Sequence, residues 1–562
     1  MSEQPVAAPP ASSASRLVLT VLAASQFLMV LDSSVMNVSI QSVANDLNTT
    51  VTGIQTAITL YTLVMASFMI TGGKLGAMFG RRRMFGVGLV IYGAGSLTTA
   101  LAPNLTVMLF GWSLLEGLGA SLILPAVVAL VAGNFPRERR TAAYGLIAAA
   151  GAVGVAAGPL IGGAVTTFAS WRWVFVGEVV IVMVILIFLG KVQDVPVEAR
   201  VPFDGFGAFL SIVGLALTVF AVLRSTEWGW VRPKPGGPTL LGTSPVLWML
   251  LAGLLVLAGF IEWERHREAT GREPLVRPGM FAVRQLDGGL IMFFFQYLVQ
   301  YGVFFTIPLF LSVVLELTAL QTGVRLLPLS VALLIAAAGL PRVAPRASPR
   351  RVVRLGLLSM IAGTLILIGG LDVTANAGIV AIPMALMGLG MGALASQLGA
   401  VTVSAVDDSL SAEVGGLQNT ATNFGASLGT ALAGAVLIAS LSASFESGIQ
   451  NSAAIPADVK TQATVELASG VPFVSDSQLQ TALDQSTLTP AAQNDVLQAN
   501  QEARIVGLRS ALAVVALLAV LALFFTGLLP KRSLIATDSD PVSDPESDPE
   551  SDPESDSDSD PD

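Results

Sequence analysis

Carboxylates inside long apolar stretches are the residues of this sequence best suited to chemistry. Asp32 lies in the run Leu-Asp-Ser-Ser-Val-Met-Asn, and Glu116 and Glu178 lie in two further apolar stretches. A carboxylate at the centre of a bilayer costs roughly 2.5–3.5 kcal/mol, so it is expected to have a function. Low-dielectric surroundings disfavour the charged form of a carboxyl group, which lets it exchange a proton near neutral pH. The sequence therefore predicts proton coupling at Asp32. The alternative is a structural carboxylate bonded to neighbouring hydroxyls or amides.

A short glycine- and arginine-rich segment separates the second and third apolar stretches. It contains Gly73, Lys74, Gly80, Arg81 and Arg82. The two glycines allow a tight turn between closely packed helices, and the arginines can bond helix carbonyls or acidic lipid head groups. A plain basic anchor is the alternative, and it explains the charges but not the glycines.

A second glycine array lies in the fifth apolar stretch, at Gly154, Gly158, Pro159, Gly162 and Gly163. Small residues at i, i+4 and i+8 share one helix face and let another helix approach closely. Pro159 removes one backbone hydrogen bond and favours a kink. A general helix-packing face is the alternative interpretation.

The second half of the chain contains an aromatic stretch with a few hydrogen-bonding groups. Tyr297, Gln300 and Phe304 share a helix face by their i, i+3, i+7 spacing. An apolar, aromatic cavity with few polar groups suits amphiphilic cations or bulky drugs, whereas packing against neighbouring helices is the alternative. Arg325 could reach the membrane interface or face the cavity. The full set of cavity candidates is Tyr297, Gln300, Phe304, Arg325, Asn419 and Asn423.

The elements that position these residues are membrane helices. The chain of 562 residues is 53% hydrophobic and 12% charged, against roughly 25% charged residues in soluble proteins. Fourteen apolar stretches reach the length of about 20 residues that a helix needs to cross a bilayer. The sequence therefore predicts an all-α, polytopic membrane protein with fourteen transmembrane helices.

Several classes of function are excluded or disfavoured by composition. The chain has no cysteine and one histidine, His266, so it offers no disulfide, thiolate nucleophile or histidine-rich metal cluster. It has no Gly-rich phosphate loop of the ATP-binding type either. We therefore predict no enzyme activity, no metal site, no cofactor and no nucleic-acid partner.

The basic residues predict the orientation of the chain. Most of the 30 lysines and arginines fall in alternate loops on one side, and the positive-inside rule places that side, with both termini, in the cytoplasm. The composition is typical of a bacterial protein, so we expect a multi-pass protein of the cytoplasmic membrane. Residues 443–504 form a predicted outer loop with short helices near 456–469 and 476–500. The flexible leader 1–15 and the acidic tail 531–562 are predicted to lack a fold.

Together these motifs resemble the major facilitator superfamily, and most closely its fourteen-span drug:proton antiporter branch. The segment from Gly73 to Arg82 is similar to the family's loop 2–3 motif, and Gly154 to Gly163 is similar to its antiporter motif. Asp32 with Asn37 is similar to the first-helix motif of that branch. The resemblance covers residues 17–530 and implies a monomer with two six-helix bundles around a central cavity. The implied division is 16–190 for the first bundle, 191–284 for an inserted helix pair and cytoplasmic linker, and 285–530 for the second bundle.

The sequence departs from the family pattern at two motifs. Ala77 occupies a position that is usually acidic, which weakens or reroutes the cytoplasmic charge relay. Residues 113–117 read Ser-Leu-Leu-Glu-Gly where an Arg-x-x-Gln-Gly motif is usual. Glu116 is therefore interpreted either as a second proton site or as a contact for a cationic substrate. Glu178 is another unusual acid and is expected to pair with Arg172.

The leading hypothesis is a proton-coupled exporter, an antiporter that expels amphiphilic or cationic drug-like molecules by alternating access. Its partners would be the substrate, protons and the lipid bilayer, and its activity would appear as multidrug efflux and antibiotic resistance. One alternative is export of a single metabolite, lipid precursor or siderophore. A transport-dead membrane sensor is the other alternative.

Overall fold

The regular structure of the described chain is helical. The computed structural model describes residues 13–135, 137–194, 203–234, 237–344, 346–373, 375–406, 410–457, 460, 472–486 and 488–532. Within these ranges the only β-type pairing is an isolated bridge between Leu240 and Thr243. The all-α prediction is therefore confirmed. Most of the predicted leader (1–12) and of the acidic tail (533–562) lies outside the described residues.

Among the described residues, fourteen long helices account for the predicted apolar stretches. In chain order they are α1 Ser13–Asp46, α2 Val51–Phe79, α3 Arg81–Ala100, α4 (Leu105–Met108, a π-helical segment Leu109–Glu116, and Gly117–Asn134), α5 Arg137–Phe168, α6 Arg172–Leu189, α7 Gly205–Trp228, α8 Pro245–Ala269, α9 Arg284–Leu309 with its π-helical extension Phe310–Val314, α10 Ala319–Val343, α11 Pro349–Gly370, α12 Ala381–Val403, α13 Ser411–Asn451 and α14 Pro490–Phe525. By length and composition thirteen of these described helices can cross a membrane. The other is α3, which begins with three arginines.

The helices pack into two groups. In the first, α1 packs on α5, α2 on α4, and α3 on α4 and α6. In the second, α9 packs on α13 and α14, α10 on α12, and α11 on α12 and α14. The groups meet where α2 contacts α13 and where α5 contacts α10. Helices α7 and α8 pack on each other, and α7 also contacts α2 and α13.

The contact between α5 and α10 is made backbone to backbone. A Cβ atom on Gly323 of α10 would lie 2.1 Å from the carbonyl oxygen of Pro159 on α5. Toward the other end of the same helices, Cβ atoms on Gly145 and Gly339 would meet no atom within 4 Å. The two backbones therefore touch around Pro159, where only glycine fits.

The predicted outer loop is largely built from helix ends. Helix α13 has 41 residues and α14 has 36, so both continue past the predicted apolar stretches. The prediction of one helix near 476–500 is wrong, because two helices share this segment. The structure has a short helix, Asp476–Leu483, and then starts α14 at Pro490, because the Thr489 hydroxyl caps the new helix and proline suits its first turn. The expected helix near 456–469 falls mainly outside the described residues.

A buried arginine ties the outer segment to the helices. Arg504 on α14 is 1% exposed, and it donates to Asp476 Oδ1 at 2.5 Å and to the carbonyl oxygens of Val474 and Val313 at 3.1 and 3.3 Å. These bonds join α14 to the short helix and to the end of α9.

We expect Arg504→Met to destabilise the protein by about 1–3 kcal/mol, because it leaves buried acceptors without a donor. Thermal unfolding of the purified protein in detergent measures the effect. Asp484→Asn is the matched control, since Asp484 is an exposed carboxylate of the same outer segment. Equal melting temperatures for the two variants would contradict the structural role of Arg504.

Candidate functional site

Three buried carboxylates from three helices meet inside the first group. Asp32 of α1, Glu116 of α4 and Glu178 of α6 each contribute a carboxylate oxygen, and these oxygens lie within 4.8 Å of one another. None of the three side chains is more than 1% exposed. We call these three residues the carboxylate cluster.

An aromatic pair holds the first member of the cluster. The indole Nε1 of Trp112 donates a hydrogen bond to Asp32 Oδ1 at 2.8 Å. The ring of Tyr61, on α2, stacks on Trp112 with centroids 5.0 Å apart and an interplanar angle of 7°. Trp112 belongs to the π-helical segment of α4, a type of helix turn that is frequent at functional sites.

A polar stripe on α3 holds the other two members. Tyr92 and Ser96 donate hydroxyl hydrogen bonds to Glu178 Oε2 at 3.3 and 3.0 Å. The Thr99 hydroxyl lies 3.3 Å from Glu116 Oε1 and shares its one hydrogen between this oxygen and the carbonyl oxygen of Gly95, which is 2.9 Å away. These three donors recur at i, i+4 and i+7, so one face of α3 serves both glutamates.

Each carboxylate of the cluster keeps one oxygen without a hydrogen-bond partner. The unpartnered atoms are Asp32 Oδ2, Glu116 Oε2 and Glu178 Oε1, and the hydroxyl of Tyr61 is unpartnered as well. No described lysine or arginine forms an ion pair with the cluster. Three buried carboxylates this close together repel one another when all are ionised, so the cluster is built to take up positive charge.

The expected pairing of Glu178 with Arg172 is wrong. Arg172 instead bonds the carboxylate of Asp46, at the end of α1, and the carbonyl oxygen of Ala102. Six residues along an α-helix turn the side-chain direction by roughly 240°. Glu178 therefore points into the helix group while Arg172 lies at its edge.

A small cavity lies between the two groups, on the opposite face of α1 from the cluster. Its lining comes from α1, α5, α9 and α10: Ser34, Asn37, Val155, Pro159, Phe304, Pro308, Leu326, Leu329 and Ser330. Its volume of about 20 Å³ holds about one water molecule. A drug-sized ligand therefore needs the two groups to separate. Since Asp32 and Asn37 share α1, this helix connects the cluster to the cavity.

Pro159 frees a backbone acceptor at this cavity. A proline has no N–H, so the carbonyl of Val155 four residues earlier loses its helical donor. The hydroxyls of Ser34 on α1 and Ser330 on α10 donate to that carbonyl oxygen, each at 3.5 Å. The proline thus creates a polar contact that joins both helix groups.

Of the predicted cavity candidates, one lines the cavity described above and the others lie elsewhere. Phe304 lines the cavity. The rings of Tyr297 and Tyr301 stack 6.3 Å apart, and Tyr301 lies 6.2 Å from Phe304, which gives an aromatic row on α9. Gln300 is buried beside this row. Arg325 is exposed near the start of α10.

The two asparagines of α13 bond to their own helix. Asn419 Nδ2 donates to the carbonyl oxygen of Gly415 at 2.9 Å, and Asn423 Nδ2 donates to that of Asn419 at 2.8 Å. Both residues are half-buried, and neither lines the cavity described above.

The glycine array packs α5 onto α1 and α10. Cβ atoms on Gly154, Gly158 and Gly162 would lie 2.4 to 3.1 Å from atoms of α1. A Cβ on Gly163 would instead lie 2.6 Å from the carbonyl oxygen of Ala319 on α10. Gly154, Gly158 and Gly162 therefore allow close packing within the first group. Gly163 allows the close contact between the two groups.

The glycine- and arginine-rich turn between α2 and α3 is held by a carboxylate from elsewhere in the chain. Asp194 Oδ1 accepts a hydrogen bond from the backbone N–H of Arg82 at 2.9 Å, and the Arg82 guanidinium donates to the carbonyl oxygen of Val192 at 3.1 Å. Lys74 pairs with Glu273 at 3.3 Å. Ala77 stands where the family motif usually has an acidic residue. Asp194, in the segment after α6, supplies a carboxylate to this turn instead.

We expect Gly80→Ala to destabilise the protein by about 1–2 kcal/mol, since Gly80 has φ +98°, a conformation that side chains disfavour. The new Cβ would also lie 2.9 Å from Asp194 Oδ2. Gly76→Ala is the control, because its Cβ would meet no atom within 4 Å and alanine suits a helix interior. Melting temperatures in detergent compare the two; a larger loss in Gly76→Ala would contradict the argument.

Sequence reasoning missed the donors that surround the cluster. Tyr92, Ser96 and Thr99 form a polar stripe at helical spacing in an apolar stretch, which is a readable signal. Trp112 lies one turn before Glu116, so its contact with the cluster was also readable. Tyr61 carries no such signal, because its position depends on the packing of α2 on α4.

Comparison with known proteins gives consistent matches along most of the chain. The family model described as Major Facilitator Superfamily matches residues 22–430. Puromycin resistance protein pur8 of Streptomyces alboniger is 32% identical over 353 residues, covering 62% of this chain and 67% of that protein. The tetracenomycin C resistance and export protein of Streptomyces glaucescens is 29% identical, covering 75% and 76%. Multidrug resistance protein Stp of Mycobacterium tuberculosis is 26% identical, covering 78% and 79%.

Solved structures with the same fold are more distant in sequence. A bacterial homologue of the human lysosomal transporter Spinster, inward-facing and unoccupied, has a TM-score of 0.55 at 14% identity and covers 92% of this chain and 98% of its own. An auto-inhibited POT-family peptide transporter has a TM-score of 0.55 at 17% identity, covering 94% and 99%. At these identities the likeness shows the fold alone.

Proposed function

This chain belongs to the Major Facilitator Superfamily, and from that premise we propose that it is a proton-coupled exporter of amphiphilic, drug-like molecules. Membership identifies a multi-pass membrane transport protein and not an enzyme, as the sequence predicted. The observation that carries the proposal is the carboxylate cluster, because its member Asp32 lies on α1, a helix that also lines the cavity between the groups. The named relatives that confer drug resistance support the substrate class.

The proposed topology follows the basic residues and the helix packing. We place both termini in the cytoplasm and the protein in the bacterial cytoplasmic membrane, as a monomer. Helices α1–α6 form the first bundle and α9–α14 the second, with α7 and α8 inserted between them. This division agrees with the way each set packs on itself.

Helix α1 is the proposed coupling element. Asp32 faces the cluster while Ser34 and Asn37 face the cavity. Protonation removes the repulsion among the three carboxylates, which changes how α1 packs on α4 and α6. The cavity side of α1 moves with it, so proton uptake and substrate release are linked through one rigid helix.

The cavity lining supports an amphiphilic substrate. Val155, Phe304, Leu326 and Leu329 supply apolar surface, and Asn37 supplies an amide. Opening of the cavity would extend this surface along the aromatic row of Tyr297 and Tyr301. A few polar groups in an apolar wall orient a ligand without demanding one particular shape.

Proteoliposomes test the proposal. Purified protein is reconstituted, a pH gradient is imposed, and movement of puromycin and of protons is measured together. We expect drug transport whose direction reverses with the gradient and which a protonophore abolishes. Transport that continues unchanged after the gradient collapses would refute proton coupling.

Export of one dedicated compound is the second candidate, because several relatives are named for a single antibiotic, such as tetracenomycin C or cephamycin. The same proteoliposomes distinguish it. A panel of unrelated amphiphiles that are all transported supports multidrug export, whereas transport of one member alone supports the dedicated exporter.

A further inference from the structure

We propose that the acidic tail of this chain docks on a cluster of arginines at the turn between α10 and α11. We call these five residues, Arg342, Arg346, Arg350, Arg351 and Arg354, the arginine cluster. The inference goes beyond the proposed function, because docking depends on the charge and the position of the two segments and not on transport.

The charges of the two segments are opposite and large. Residues 341–354 contain five arginines and no acidic residue. From Asp538 to Asp562 the tail contains twelve acidic residues and no lysine or arginine. The whole chain has 39 acidic and 30 basic residues, so these twelve acids account for all of its negative net charge. Charges of opposite sign attract within a Debye length, which is about 10 Å at 0.1 M salt.

The end of the described chain is held against the arginine cluster. The backbone N–H of Arg350 donates to the carbonyl oxygen of Pro530 at 3.3 Å, and its Nε donates to that of Leu529 at 3.0 Å. The Nη2 of Arg354 donates to the Thr526 hydroxyl at 3.1 Å. These bonds fix the segment after α14 to the first turns of α11. The tail therefore starts directly beside the arginine cluster.

The arginine cluster has no acidic partner among the residues that the structure describes. None of its five members forms an ion pair there. The bonds from the Arg350 and Arg354 side chains go to neutral oxygens, and Arg346 and Arg351 are exposed. A guanidinium group has five N–H donors and binds carboxylates more strongly than neutral acceptors. The cluster can therefore bind carboxylates in addition to its present partners.

The chain between the fold and the first acid is long enough for docking. Arg532 is the last residue that the structure describes, and Asp538 follows six residues later. At about 3.3–3.6 Å per residue, this segment spans up to about 20 Å. The cluster residues of α11, from Arg350 to Arg354, lie within about 6 Å along the helix axis. The first acids of the tail can therefore reach the arginines beside which the tail starts.

Anionic lipid head groups are the other candidate for this surface, since arginines near helix ends often face the membrane interface. The tail is favoured because it is covalently attached, which raises the local concentration of its carboxylates. Its twelve acids are also repelled by an anionic membrane surface. Binding to the arginine cluster replaces this repulsion with attraction.

Energy transfer between two dyes tests the proposal, because the native chain has no cysteine that would compete for labelling. Val343→Cys places one dye beside the cluster, at a residue that is 85% exposed, and Ser547→Cys places the other among the acids of the tail. Purified full-length protein is measured in phosphatidylcholine nanodiscs. We expect transfer to fall at least about twofold between 0.1 and 1 M NaCl, where the Debye length falls from about 10 to 3 Å.

The sign of the salt effect distinguishes a docked tail from one that stays in solvent. A segment with many like charges repels itself and extends at low salt, so an undocked tail would come closer to the fold as salt rises. Transfer that rises with salt, or does not change, would overturn the proposal.

Matched variants assign the effect to the arginine cluster. Arg346→Gln with Arg351→Gln should lower the transfer at 0.1 M NaCl at least about twofold and remove its decrease with salt. Arg232→Gln with Arg325→Gln is the control, since it removes the same charge at two exposed positions outside the cluster. All four positions are exposed, so both double variants should fold. Equal transfer in the two double variants would contradict docking on the cluster.

Phosphatidylglycerol distinguishes the tail from lipid head groups as the occupant. Nanodiscs of equal parts phosphatidylcholine and phosphatidylglycerol should retain the salt-sensitive transfer, because the attached tail holds the arginines. Loss of the transfer in these discs would show that head groups occupy the cluster instead, against the proposal. None of these measurements involves a drug or a pH gradient, so their outcome is separate from that of the transport assays.

Discussion

Asp32→Asn is expected to lower pH-gradient-driven drug export at least about tenfold while leaving the protein folded. Asparagine keeps the size of the side chain and the oxygen that accepts the Trp112 hydrogen bond, but it cannot take up a proton. The cluster then loses one of its three exchangeable charges. Glu116→Gln and Glu178→Gln should act in the same direction, because their carboxylates share the site.

Initial rates in proteoliposomes with an imposed pH gradient measure the loss. Asp484→Asn is the matched control, since it removes an exposed carboxylate of the outer segment. Drug exchange without a gradient reports whether each variant still binds and carries substrate. Wild-type coupling in all three cluster variants would show that the cluster has no part in proton transfer.

Gly323→Val is expected to reduce transport at least about tenfold by forcing α5 and α10 apart. The added Cβ would lie 2.1 Å from the carbonyl oxygen of Pro159, and backbone cannot move aside as a flexible side chain can. The contact that closes one side of the cavity is then lost. Gly339→Val on the same helix is the control, because its Cβ would meet no atom within 4 Å.

The native chain contains no cysteine, which makes thiol labelling a direct readout of this opening. Ser330→Cys places a thiol at a cavity position that is 2% exposed. A membrane-impermeant maleimide added from outside should label it faster in the Gly323→Val background than in the Gly339→Val background. Equal labelling rates would show that the two helices need not touch there.

Helix number and position could be predicted from the sequence because the bilayer sets the length of apolar stretches. The predicted stretch 172–190 agrees with α6, Arg172–Leu189, to within a residue. The outer ends of α13 and α14 were not predicted, since these helices continue after their sequences become polar. Apolar length gives no information about a helix beyond the membrane.

The three residues of the cluster could be identified from the sequence, but their proximity in the folded chain could not be predicted. Asp32, Glu116 and Glu178 each stand out as acids in apolar stretches. Their proximity depends on the packing of α1, α4 and α6, to which Gly95 of α3 contributes: its Cβ would lie 2.6 Å from Glu116 Cγ. The mistaken Arg172 pairing has the same origin, because Asp46 competes for the arginine only in the folded chain.

The fluorescence of Trp112 can report on the carboxylate cluster. The indole N–H bonds Asp32 and the ring face contacts Tyr61, so the emission of this one tryptophan depends on the electric field of the neighbouring acids. A difference spectrum between the native chain and Trp112→Phe isolates that emission from the six other tryptophans. Occupancy of the acids can then be followed in real time, in a membrane, without an added dye.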